Sequence, residues 1–216
     1  MPIQCTIVPV TPYQQNCSII KCETSSKAAI VDPGGDVERI LAAVEKMDAV
    51  VEKILLTHAH MDHCAAADVL RQQLEIPIEG PHREDRFWLD KLPEVCKMAS
   101  FPHADAFIPD RWLEQGDTVT VGEQVLRVFH CPGHTPGHVV FLYDTQRVAW
   151  VDSKAVDIMD IWKRVRDPPS DVPVVSDHDT GRGRKGEANN IEGRMLALFT
   201  VEANQVPDGG HPVSYT

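Results

Sequence analysis

Four groups able to bind a metal, His58, His60, Asp62 and His63, stand within six residues, directly after an apolar run at residues 50–56. Such a run, bounded by polar residues, reads as a strand buried on both faces. Residues 64–74 (Cys-Ala-Ala-Ala-Asp-Val-Leu-Arg-Gln-Gln-Leu) read as a helix. The cluster therefore falls between the carboxyl end of a strand and the amino end of a helix, where open α/β sheets place their sites. In an extended segment His58 and His60 point the same way. Asp62 and His63 follow where the chain turns, so they address a neighbouring point, and two adjacent ions are geometrically reasonable. Imidazole nitrogen and carboxylate oxygen hold zinc at about 2 Å, and catalytic sites keep one position open for water. Structural zinc leans on cysteine thiolates, which argues against a purely structural site.

The flanking pattern supplies a scaffold. Residues 3–8, 17–21 and 28–31 read as strands, the last ending at the turn Asp32-Pro33-Gly34-Gly35. Asp36 is placed to N-cap a helix with Val37, Ile40, Leu41 and Val44 at helical spacing. A short strand at 76–78 and a helix at 84–89 follow, then a Pro-containing loop at 92–110. Residues 118–121 and 125–130 flank Gly122 as a hairpin. An irregular loop at 131–138 leads to strands at 139–143 and 148–151. Hairpins mixed with helical crossovers imply an α/β fold with mixed sheets covered by helices. Beyond Asp152 the pattern weakens: 157–165 reads as helix, 172–175 as a short strand, and 181–216 as an irregular tail. The basic run 181–186 reads as a solvated loop, because it lacks the strand-then-helix setting of a phosphate site.

Composition narrows the function. A chain of 216 residues with 43% hydrophobic content suits one ordinary domain, or one with an appended tail. The formal net charge of −11 argues against nucleic acid as a partner. No apolar stretch is long enough to span a bilayer, and the first ten residues do not read as a secretory signal. The six cysteines show no C-x-x-C spacing and read as reduced thiols of a cytoplasmic protein. Oligomeric state is not readable from these features.

The segment Thr57-His58-Ala59-His60-Met61-Asp62-His63 resembles the T-H-x-H-x-D-H signature of the metallo-β-lactamase superfamily. Cys131-Pro132-Gly133-His134-Thr135-Pro136-Gly137-His138 resembles the P-G-H-T-P-G-H segment of type II glyoxalases. Asn16-Cys17, the turn after Val31, and Gly116-Asp117 are also similar to the small, single-domain glyoxalase II-like group. The resemblance runs from about residue 3 to about residue 152. It implies a four-layer αβ/βα sandwich of two mixed sheets flanked by helices, with residues 1–180 as that domain and 181–216 as the tail. It also implies that His58, His60 and His134 bind one metal. Asp62 and His63 would belong to a second, with Asp62 also orienting the nucleophile, and His138 would make structural hydrogen bonds.

The implied chemistry is hydrolysis of a small-molecule thioester such as S-lactoylglutathione by a metal-activated hydroxide. Two zinc ions are expected, and iron or manganese suits the same ligand types. The family also expects a bridging aspartate in a Gly-Asp context and a last histidine in a Pro-Gly-His-Gly context. Asp152, in Trp150-Val151-Asp152-Ser153, and His178, in Ser176-Asp177-His178-Asp179, stand for them without those neighbours. This departure leaves a truncated or irregular C-terminal third open. It also leaves three other readings open: a persulfide dioxygenase-like iron enzyme, a β-lactamase-like hydrolase, and a catalytically inactive metal-binding relative.

Overall fold

The computed structural model describes residues 3–146, 148–152 and 196–200. Among these residues ten strands form two five-stranded sheets, ordered β1-β2-β3-β4-β5 and β10-β9-β8-β7-β6. In the first, β1 (Ile3–Val10), β2 (Gln15–Cys22) and β3 (Lys27–Val31) run antiparallel in turn. Then β4 (Val50–Leu55) and β5 (Ile78–Glu79) add in parallel. Parallel neighbours need long crossovers. These are built on α1 (Val37–Lys46) and on the pair α2 (Met61–Cys64) and α3 (Ala67–Leu74). In the second sheet β6 (Thr118–Val121), β7 (Gln124–His130), β8 (Val139–Tyr143) and β9 (Val148–Asp152) alternate in direction.

Side-chain alternation along the strands separates two cores. Cys17, Ile19, Ala28, Ile30 and Ile54 face Ile40 of α1, Ala67 and Leu70 of α3, Leu89 of α4 (Arg86–Asp90), and Leu92 and Cys96 of α5 (Leu92–Met98). Ile20, Ala29, Val31 and Leu55 point the other way, onto Val119, Val128, Phe141 and Trp150 of the second sheet. Strands β2 and β3, and β4 at its end Ile54-Leu55, are thus buried on both faces, which is why they read as apolar there and not as polar–apolar alternation. The two mixed sheets and the helices on the first match the architecture expected from sequence. Among the described residues no helix is long and apolar enough to cross a membrane.

Several local readings are corrected. The helix expected over 64–74 is two helices, α2 and α3, with α2 beginning inside the histidine cluster. Asp36 precedes α1 but does not cap it. It is left-handed (φ 49°), makes no side-chain cap bond, and accepts from the Thr11 N–H at 2.7 Å. The expected loop at 92–110 opens with α5, because Pro93 sits in its first turn, where a missing N–H does no harm. Leu196–Thr200, inside the span read as tail, is β10, parallel to β9. The helix expected at 157–165 and the strand at 172–175 lie outside the described residues.

Candidate metal centre

Parallel pairing of β3 with β4 brings their carboxyl ends side by side, so Asp32 lies next to the segment that starts at Leu56. There the Asp32 N–H donates to the Leu55 carbonyl at 3.0 Å. Asp32 is fully buried, with one carboxylate oxygen accepting from the Thr57 N–H (2.7 Å) and the other from the Thr57 hydroxyl (2.6 Å). That hydroxyl oxygen also stands 3.0 Å from His58 Nδ1. Having given its proton to Asp32, it accepts from Nδ1–H, which leaves Nε2 as the basic nitrogen of His58.

Asp32 fixes His63 as well, with Oδ2 at 3.2 Å from Nδ1, while Nε2 of the same ring faces Asp62 Oδ2 at 3.5 Å. The Gln15 amide lies 3.2 Å from His63 Nδ1. The same amide nitrogen donates to the Asn16 carbonyl at 2.9 Å, so Gln15 stands behind the ring with its NH₂ toward it, while Asp32 accepts from Nδ1–H. Carboxylates and amides behind metal-ligating histidines set tautomer and ring orientation in this way.

The second sheet supplies the distant partner. The loop between β7 and β8 returns to the end of β4, where the Val139 N–H donates to the Thr57 carbonyl at 2.8 Å. It carries His134 to ring-centroid distances of 4.9 Å from His58 and 4.6 Å from His60, and His58 and His60 are themselves 4.8 Å apart. One ring nitrogen from each of the three lies within 4.8 Å of the others, and Asp32, His58 and His63 form a second such trio. His58, Asp62 and His63 are buried, whereas His60 and His134 are half-buried and form the open side. Trp88 stands edge-on to His60 at 4.8 Å and walls that side.

The remaining expected residues divide. His138 is fully buried, 5.6 Å from His58 by ring centroid. Cys64 belongs to the helix-side core. Burial first, and then the nearby Asp62 carboxylate, push its thiol well up, so it is no nucleophile at neutral pH. All six cysteines are free thiols. Asp152 ends β9. Phe141 pairs with Trp150 in the β8–β9 ladder, and carrying that register on sets Asp152 level with Val139, at the sheet end that bears the His134 loop. His178 lies outside the described residues. Asp32 is the residue that sequence reading missed as part of the site: it was legible only as a turn former. The signal was available, since two parallel strands end at Asp32 and at Leu56-Thr57.

Crowding buried imidazoles has an electrostatic consequence. Burial, then His63, His138, His60 and His134 in that order, hold His58 well below the ordinary histidine range. Burial and His134 hold His138 down to about 3, against a smaller opposing contribution from a hydrogen bond with the Cys131 backbone. Both rings are neutral in the folded chain, while in the unfolded chain they take up protons near the ordinary value of about 6.5. The metal-free protein is therefore expected to keep this stabilisation above about pH 6.5 and lose it progressively as pH falls toward 3. Urea midpoints of chelator-treated protein from pH 7.5 to pH 4 check this; a flat profile contradicts it.

Two mixed sheets packed face to face, with imidazoles and carboxylates gathered where their loops meet, define the metallo-β-lactamase fold class. Residues 10–150 match the metallo-beta-lactamase superfamily, and the chain belongs to it. It is 41% identical over 145 residues to the hydroxyacylglutathione hydrolase GloC of Haemophilus influenzae, a match covering 67% of this chain and 68% of that one. The chain spans less than half, 45%, of the longer hydroxyacylglutathione hydrolase of Bdellovibrio bacteriovorus, with 32% identity. Among solved structures it is similar to the B3 metallo-beta-lactamase BLEG-1 (TM-score 0.62, 32% identity, 69% of this chain and 72% of that one). It is also similar to TTHA1623 in a di-iron-bound form (TM-score 0.61, 28% identity, 68% and 71%).

Proposed function

We propose that this chain is a metal-dependent hydrolase of the glyoxalase II type, cleaving a small-molecule thioester such as S-lactoylglutathione. The observation that carries the reading is the convergence of His134, from the β7–β8 loop, with His58 and His60 from the end of β4. The donor set fits a divalent cation. Asp62 Oδ2 is buried and accepts no hydrogen bond among the described residues, and an ionised oxygen in that position needs a cation or a proton. His58, His60 and His134 would hold one ion. Asp62 and His63, with Asp152 and His178 as the remaining ligands we assign, would hold a second. Zinc suits this mixture of nitrogen and oxygen ligands, and iron is the alternative that the di-iron form of TTHA1623 keeps in view.

A divalent cation bound there supplies Lewis acidity and lowers the pKa of a coordinated water to about 7. The chain's own groups do the rest. Asp62, on the first turn of α2, would orient the attacking water and accept its proton. His58 and His63 are held in one tautomer by the Thr57–Asp32 pair, so the site needs little rearrangement during reaction. His60, His134 and Trp88 border the open side, from which a carbonyl approaches. The names of the relatives, hydroxyacylglutathione hydrolases, support a thioester over other carbonyl substrates.

Metal analysis of chelator-free protein, paired with hydrolysis of S-lactoylglutathione, tests the reading. About two ions per chain and metal-dependent turnover are expected, with His178→Ala lowering both. Protein that binds no metal, or turnover that survives metal removal, overturns the proposal. The similarity to BLEG-1 favours a β-lactam amide as the second substrate to assay, and hydrolysis of a chromogenic cephalosporin in place of the thioester would select it.

A further inference from the structure

Four carboxylates are buried among the described residues: Asp32, Asp62, Glu79 and Asp85. Asp32 and Asp62 belong to the site described above. Glu79 is matched by Lys53 at 2.6 Å and Arg111 at 3.0 Å. Asp85, fully buried in the 3₁₀ turn Arg83–Asp85, is met by three hydrogen-bond donors from two separate loops. Its Oδ2 accepts from the Ala59 N–H at 3.0 Å and the Thr135 hydroxyl at 2.8 Å, and its Oδ1 accepts from the Gly137 N–H at 2.6 Å. Ala59 lies between His58 and His60, and Thr135 directly follows His134. One carboxylate thus ties together both segments that carry the first trio of imidazoles.

The surroundings are built to let it reach. At Gly137 a Cβ would come within 2.6 Å of the Asp85 backbone nitrogen and of the His82 carbonyl, so only glycine permits this approach. The His82 N–H donates to the Gly137 carbonyl at 3.0 Å. On the outer side, the His82 and His130 rings stack at 3.9 Å with 17° between planes. Those two histidines and Glu84 place ligand-type atoms close together, but they do not make a further ion site outside the proposed centre. Stacked rings direct their in-plane lone pairs side by side and not toward a common point. His82 Nε2 also bonds Glu114, and His130 Nε2 bonds the Pro136 carbonyl, each at 2.8 Å. The cluster braces the same loop that Asp85 grips.

We propose that Asp85 is a positioning residue: it holds the His58–His60 segment and the His134 loop at the separation that lets their three imidazoles share one cation. This rests on the metallo-hydrolase reading of that cluster. Hydrogen bonds to an ionised carboxylate are about twice as strong as neutral ones, and two oxygens are needed to accept from both loops. Asparagine fills the same volume, yet in either orientation its NH₂ meets a backbone N–H, of Ala59 or of Gly137. The role is therefore separable from packing.

Zinc alone is the probe. Its affinity is measured by competition with a chromophoric chelator for wild type, Asp85→Asn and Thr135→Val, at a temperature where circular dichroism shows all three folded. Urea midpoints of the metal-free proteins are taken alongside. Asp85→Asn is expected to weaken zinc binding by about 10–100-fold, the usual consequence of losing a partner behind the ligands. Thr135→Val, which removes one donor of three, should weaken it by a smaller factor. A purely structural Asp85 would lower the metal-free midpoint and leave the zinc affinity of folded molecules unchanged; that result overturns the proposal. If Asp85→Asn does not fold, Thr135→Val decides, and an unchanged affinity there also overturns it. Failure of the hydrolase reading looks different: wild type itself then takes up no zinc, and the positioning role falls with it.

Discussion

His58→Ala is expected to abolish thioester hydrolysis and to strip the protein of most of its metal. The loss should exceed the roughly 10–100-fold decrease typical when a partner behind a ligand is removed. His58 is the one residue common to both trios, sharing ligand distance with His60 and His134 on one side and with Asp32 and His63 on the other. It is also the end of the chain of hydrogen bonds that runs from Asp32 through the Thr57 hydroxyl. Removing its ring would take a ligand from the first of the proposed ions and unseat the hydroxyl that bonds Asp32, the residue behind His63. Metal content by elemental analysis, kcat/KM with S-lactoylglutathione, and far-ultraviolet circular dichroism check the three parts. Two ions per chain retained in a folded His58→Ala protein would contradict the assignment.

The parts of this centre that sequence displayed are those where local pattern and tertiary placement coincide. The run at residues 50–56 closes on Ile54, Leu55 and Leu56 because β4 is buried at that end between the helices and the second sheet, and a strand whose buried end leads into His-x-His delivers those rings to the sheet's carboxyl edge. The loop at 131–138 stood out through its resemblance to the P-G-H-T-P-G-H segment of type II glyoxalases. Asp85 did not, because it stands among the charged residues Arg83, Glu84 and Arg86 at the start of a stretch, 84–89, that reads only as a short helix. Its burial depends on a glycine at position 137 that lets a distant loop come down on it, and no window of local sequence contains that relation. The same holds for Asp36, whose left-handed backbone and bond to the Thr11 N–H replace the helix cap that its type and position suggest. Local chemistry named the proposed ligands; long-range contacts chose what stands behind them.

Gly34→Ala should be among the most destabilising single methyl additions in the described part of the chain. A Cβ at Gly34 would lie 1.5 Å from the Asp62 carbonyl oxygen, 2.3 Å from its carbonyl carbon and 3.1 Å from its Cα. All three are backbone atoms, so no side chain can swing aside. The turn after β3 passes directly against α2, and the Ala66 N–H bonds the Pro33 carbonyl at 3.0 Å, so the turn and the start of α3 are fastened together. Relief requires α2 to move away, taking Asp62 and His63 from His58. The expected loss is about 4 kcal/mol or more, the range reached when a core cannot absorb added volume. Gly116→Ala provides the contrast: its backbone is left-handed (φ 87°), but an added Cβ meets nothing within 4 Å. Only the backbone penalty of about 1–2 kcal/mol applies there. Urea midpoints of both variants, measured without metal, make the comparison independent of any catalytic assignment. Equal midpoints would mean that the turn does not press on α2, and the second half of the ligand cluster would lose the support that sets its distance from the first.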